Sequence, residues 1–124
     1  MIVGIGNDIV EIARIEKAMN ASERFAQRIL TEFELQEYFA SKAKARYLAK
    51  KFASKEALAK ALGTGIGNGL SWQMIQIEHD ELGKPMVVPM PPLLDKFNDL
   101  KVVSCHISIS DEVEYATAMV VLES

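Results

Sequence analysis

The stretch from about Ala43 to Leu62 reads as the longest helix of the chain, and it constrains the fold more than any other segment. Leu48, Phe52, Ala59 and Leu62 fall on one apolar stripe, and Gly63 supplies a natural helix stop. A one-sided stripe must be buried against another element. VVSCHISIS and YATAMVVLE are the clearest strand candidates, and the short DEVE link between them predicts an antiparallel pair.

The remaining elements are shorter. IVGIG (2–6) predicts a strand whose Gly4 and Gly6 mark close backbone approach, with Asp8 in a loop just past its end. EIARIEKAM (11–19) turns helical, with Ile12, Ile15 and Met19 at helical spacing. Ser22 reads as the N-cap of ERFAQRIL, and Thr31 with Glu34 as a capping box for EFELQEYFA. MIQIEHD predicts a strand, ELGKP a turn and MVV a short strand; PMPPLLDKF predicts a proline-bounded connection with room for one helical turn. Helices come early and strands late. That order predicts an α+β fold with a mostly antiparallel sheet, in one domain over residues 1–124.

Composition excludes several classes. The apolar fraction of 49% and the charged fraction of 25% are those of a soluble globular protein. No run approaches the roughly 18 apolar residues of a membrane span, and MIVGIGNDIVE lacks the basic start of a signal peptide. A single cysteine excludes an internal disulfide and a Cys-rich zinc site. A cytoplasmic protein is expected. The net charge of −3 hides an asymmetry, because residues 1–62 hold 11 of the 14 Lys and Arg residues. The basic half points to an anionic ligand or partner, and the small total argues against bulk nucleic-acid binding.

GTGIGNG, from Gly63, has glycine spacing that invites a dinucleotide or P-loop reading, but its context is wrong. A phosphate loop opens a helix, where N–H groups are free; these glycines close one, and the Walker Lys-Ser/Thr ending is absent. On the helix itself, Glu56 and Lys60 share a face, while Lys51 and Lys55 form a second pair at the same spacing. A surface ion pair with solvated lysines would produce the same pattern. Asp8 adds a carboxylate from a separate element. Two carboxylates with lysines nearby suit a Mg²⁺–pyrophosphate complex.

GNDIVEIARIE, RFAQRIL, KKFASKEALAKALGTGIG, ELGKP and the late HISIS strand, in this order and spacing, resemble the holo-[acyl-carrier-protein] synthase family of bacterial 4′-phosphopantetheinyl transferases. The likeness covers nearly the whole chain. It implies the phosphopantetheinyl transferase fold and transfer of phosphopantetheine from coenzyme A to a carrier-protein serine, in support of fatty acid biosynthesis. It also implies a homotrimer with active sites between subunits. By the same resemblance, Asp8 and Glu56 would hold Mg²⁺, Lys60 would lie against the phosphates and serve catalysis by stabilising the leaving group or helping move a proton, and Lys51 and Lys55 would contact phosphates of the nucleotide end. Gly63 and Gly65 would let backbone approach the ligand. The acceptor of the serine proton stays open between a metal-bound water and Glu56, a carboxylate engaged by Mg²⁺ being the weaker base.

Alternation in SCHISIS puts Cys105 and His106 on opposite faces, which argues against a Cys–His dyad and makes Cys105 a buried small hydrophobe. His106 on its own reads as a structural histidine; the resemblance instead places it near a phosphate of coenzyme A. Many relatives have histidine at the position of Asp111, so Asp111 takes no catalytic role here. His79 is expected to be merely exposed. Arg14, Arg24, Phe25 and Arg28 read either as a solvated basic face or as a docking surface, since arginine with an aromatic is a common interface composition. The resemblance assigns these positions to docking of the acidic acyl carrier protein. Two rivals remain: a non-catalytic nucleotide or coenzyme A binding module, and RNA binding through the lysine helix, for which Tyr47 and Phe52 are thin support.

Overall fold

The computed structural model describes all 124 residues. Its elements are β1 (Ile2–Glu11), α1 (Ile12–Ala21), α2 (Arg24–Ile29), α3 (Glu32–Ala40), α4 (Lys44–Leu62), a 3₁₀ turn (Trp72–Met74), β2 (Ile75–His79), β3 (Pro85–Pro89), α5 (Pro91–Asp99), β4 (Ser104–Asp111) and β5 (Tyr115–Glu123). β1, β5 and β4 form a three-stranded sheet in that order, with antiparallel neighbours throughout. β2 and β3 make a separate antiparallel hairpin. The expected α+β class is the one observed. No helix is long and apolar enough to cross a membrane.

Helix α4 is the centre of the molecule. Leu48 and Ala59 of the expected stripe are buried, and Phe52 and Leu62 are half-buried. The buried surface of α4 is wider than that stripe. Ala49, Ala53, Ala57 and Ala61, one turn apart, form a second buried ridge. A helix buried on several sides needs neighbours on several sides. β5 supplies Ala116, Ala118, Val120 and Leu122, its alternate residues, all buried.

The glycines of β1 set the closest contact. A Cβ on Gly6 would stand 2.0 Å from the Ala57 carbonyl oxygen, and one on Gly4 would stand 2.0 Å from that of Ala61. Only glycine lets the strand lie on the helix backbone. This is the close approach expected from the sequence, and its partner is α4. The strand itself runs further than expected. Asp8 lies inside β1, paired with Ala118 of β5, rather than in a loop beyond it. Ladder pairing with β5 carries the strand through a sequence of weak local preference.

Local signals performed well elsewhere. Thr31 N–H donates to Glu34 Oε1 (2.9 Å), and Glu34 N–H donates to Thr31 Oγ1 (3.3 Å), completing the capping box. Ser22 Oγ accepts from Arg24 N–H (3.2 Å), although Glu23 holds the N-cap position of α2. Gly63 ends α4 in the left-handed conformation at φ 79°. The proline-bounded connection is a full nine-residue helix, α5, which Pro91 opens from its first turn.

Candidate functional site

Within β1, Gly4, Gly6, Asp8 and Val10 point to the α4 side. Because the two glycines bring the backbones together, Asp8 arrives beside the next turn of the helix. There Lys60 Nζ donates to Asp8 Oδ1 (3.1 Å) and to the Asn7 carbonyl oxygen (3.0 Å). Burial first, and the Asp8 charge second, raise the Glu56 carboxyl above its usual range, while Lys60 opposes the shift. The structure therefore brings Asp8 together with Glu56 and with Lys60, which lies 52 positions further along the chain.

This donor set fits a hard divalent cation. Two carboxylates that disfavour each other's charge gain from a shared cation. No group of three or more His, Cys, Asp or Glu side chains exists that would hold a metal alone. A Mg²⁺ ion here would complete its shell with water and ligand phosphate oxygens, which is its usual preference.

A second site lies on the other side of α4. Lys51 and Lys60 are nine residues apart, about two and a half helical turns, so they face opposite ways. Lys51 opens into a pocket walled by Tyr47, Lys50, His79, Ile109 and Asp111, of about 160 Å³. Its ammonium sits 5.0 Å from the Tyr47 ring centroid. Burial lowers its pKa to about 8, against the partial opposition of Glu34 and Glu37. Asp8 belongs to one edge strand of the sheet and Asp111 to the other.

Two expected site residues are placed otherwise. Lys55 does not reach a phosphate pocket. Its side chain is fully buried, and its three donors meet Glu34 Oε1 (2.6 Å), the Ile29 carbonyl (2.6 Å) and the Trp72 carbonyl (3.1 Å). Glu34 in turn accepts from Thr31 and Ile77 N–H (2.7 Å), so the pair ties α2, α3, α4, the 3₁₀ turn and β2 together. Lys55 is structural because every donor is already satisfied. His106 also departs from expectation. Alternation on β4 sends it to the face opposite Ile109 and Asp111, where Nε2 lies 3.0 Å from Glu123 Oε1. Within the chain it is remote in direction from the pocket.

Gly63 and Gly65 both have positive φ, and a Cβ on either would meet open space, so conformation and not crowding calls for glycine. No strand precedes this loop to open a helix, in keeping with its reading as a helix stop. Arg14, Arg24 and Arg28 are exposed on α1 and α2, and Phe25 is half-buried against the core. Burial pushes the Cys105 thiol up to about 12, which leaves no nucleophilic thiolate near neutral pH. Sequence reasoning missed Glu34 as a hub, and missed His79 and Asp111 as pocket walls. Only the i,i+4 spacing of Tyr47 and Lys51 was a local sign of the pocket.

Comparison with known proteins identifies the family. Residues 4–120 match the family model of the 4′-phosphopantetheinyl transferase superfamily. A holo-[acyl-carrier-protein] synthase of Vibrio cholerae is 52% identical over 124 residues, covering 99% of this chain and 98% of the relative. The crystal structure of the synthase from Neisseria meningitidis superposes with a TM-score of 0.96 at 43% identity, covering all of both chains. The synthase of Bacillus anthracis, solved in complex with coenzyme A (3′,5′-ADP), superposes with a TM-score of 0.86 at 41% identity, covering 100% of this chain and 98% of that one. The chain belongs to the 4′-phosphopantetheinyl transferase superfamily, and within it to the holo-[acyl-carrier-protein] synthases.

Proposed function

We propose that this protein moves the 4′-phosphopantetheine group of coenzyme A to a serine of apo acyl carrier protein, Mg²⁺-dependently, supporting fatty acid synthesis in the cytoplasm. The observation that carries the reading is the meeting of Asp8, Glu56 and Lys60 where β1 lies on α4. The serine oxygen forms a bond to the pantetheine-bearing phosphorus. The pyrophosphate P–O bond breaks, adenosine 3′,5′-bisphosphate departs, and the serine proton passes to a base. Mg²⁺ held by Asp8 and Glu56 would stabilise the charge that develops on the phosphate oxygens. Lys60, half exposed beside Asp8, would turn its ammonium toward the same oxygens and favour departure of the leaving group. Glu56, as a ligand of the ion, would be a weak base, so the serine proton would pass to water.

The nucleotide end of coenzyme A would occupy the pocket of Lys50 and Lys51. That pocket and the carboxylates lie toward opposite sheet edges, which supports a site shared between copies of the chain. The sheet face away from α4 supports the same assembly. Ile5, Ile9 and Met119 stand exposed there, an apolar surface that a neighbouring copy would cover in a homotrimer. Arg14, Arg24 and Arg28 beside Phe25 would receive the acidic carrier protein.

Incubating the protein with coenzyme A, apo carrier protein and Mg²⁺ tests the reading. The expected result is a carrier heavier by one phosphopantetheine, and no gain when the metal is chelated. Coenzyme A binding without transfer would mark a binding module instead. Charge reversal at Arg14 or Arg24 is expected to raise KM for the carrier while leaving coenzyme A affinity near its starting value. Equal weakening of both would overturn the docking assignment.

A further inference from the structure

The wall of the lysine pocket contains one residue whose charge is wrong for a phosphate. Asp111 stands at the end of β4, in the same wall as Lys50, Lys51 and His79. A free carboxylate there would repel a phosphate ester and offset one lysine. Asp111 is not free. Arg46 Nη1 donates to Asp111 Oδ2 at 2.8 Å and to the Glu112 carbonyl oxygen at 2.7 Å. Arg46 lies on the first turn of α4 and is not part of the pocket wall; it borders a separate open groove with Lys42 and Lys44.

We infer that Arg46 is a positioning residue for the nucleotide pocket, neutralising Asp111 and anchoring the end of β4 to α4 so that the pocket accepts a phosphate monoester. The inference rests on the assignment of this pocket to the nucleotide end of coenzyme A. Its chemistry follows from the contacts. One guanidinium nitrogen, Nη1, with its two N–H groups, holds both a side chain and the next backbone carbonyl, so charge and strand position are set together. Both partners are about one-third exposed, so the pair adds little to stability. Its effect falls on the ligand, which carries two negative charges on a monoester and therefore responds to the local balance.

The test is calorimetric titration of the full-length protein with coenzyme A and with dephospho-coenzyme A, which lacks the ribose phosphate monoester. Arg46→Ala is expected to weaken coenzyme A by about tenfold and dephospho-coenzyme A by less than about twofold. Adding Asp111→Asn to that variant is expected to restore coenzyme A to within about twofold of the parent. A merely structural role would weaken both ligands alike and would not be rescued by removing the acid; either result overturns the inference. Lys51→Met separates this from the assignment beneath it. Loss of affinity in Lys51→Met with none in Arg46→Ala sinks the role of Arg46 alone. No loss in Lys51→Met removes the pocket from the nucleotide path and takes the inference with it.

Discussion

Lys55 and Lys60 leave the same helix five residues apart and end in opposite environments. Lys55 is wholly buried, with Glu34 at 2.6 Å and two backbone carbonyls completing its shell. Lys60 is 53% exposed, and Asp8 at 3.1 Å is its only carboxylate partner. In the first region the charges are desolvated and fully paired, so removing either partner strands the other. In the second the charges stay near solvent and incompletely matched, two carboxylates against one ammonium. The first arrangement holds elements in place. The second leaves capacity for an ion and a ligand, at little benefit to stability.

Breaking the buried pair should have the largest effect. Lys55→Ala or Glu34→Ala is expected to lose about 3–5 kcal/mol of unfolding free energy, since each leaves an unpaired buried charge. Thermal unfolding followed by circular dichroism would read this, and a loss near zero would erase the distinction between the two regions. Asp8→Asn and Glu56→Gln should do the reverse. Activity is expected to fall by about 10²–10³-fold, on the scale of a lost transition-state charge contact. The melting temperature should hold or rise, because Asp8 and Glu56 disfavour each other's charge in the unliganded protein. A melting temperature that fell with activity would assign these acids to the fold.

Gly6→Ala joins the two regions. Its new methyl group would meet the Ala57 carbonyl at 2.0 Å, so β1 must move off α4. About 1–3 kcal/mol of stability should be lost, and activity should drop further than stability alone explains, as Asp8 moves with the strand. Comparing rates at a temperature where both proteins stay folded would show this.

The smallest effect concerns pH. In the proposed nucleotide pocket Lys51 would attract phosphate only while charged, and burial lowers its pKa to about 8. Coenzyme A affinity should therefore fall by up to about tenfold from pH 7 to pH 9, and Lys51→Met should flatten that slope in a binding titration. Stability should move the opposite way. The folded pKa lies below the ordinary value of 10.5, so the unfolded chain holds more protons between these limits. Raising the pH from about 8 toward 10.5 should thus relieve the cost of burying Lys51.

Much of the architecture was legible because its causes are local. The Thr31–Glu34 capping box, the Gly63 stop and the antiparallel ending of β4 and β5 each depend on residues close in sequence. The early-helix, late-strand order was enough for the class. Gly4 and Gly6 announced a close approach, although nothing near them named the helix they approach. The carboxylate pair was legible through the order of the motifs as a whole and not through any single spacing.

The sequence by itself determined where α4 begins and ends and which residues of it are basic. Tertiary structure alone decided that Lys55 points inward to Glu34, that Lys60 points outward to Asp8, and that Lys51 opens on the opposite side with Asp111 beside it. The reason is the range of the forces. Hydrogen bonding within a turn and side-chain alternation act over a few residues. Desolvation depends on which elements pack around a group, and here those elements come from parts of the chain 17 to 52 residues away.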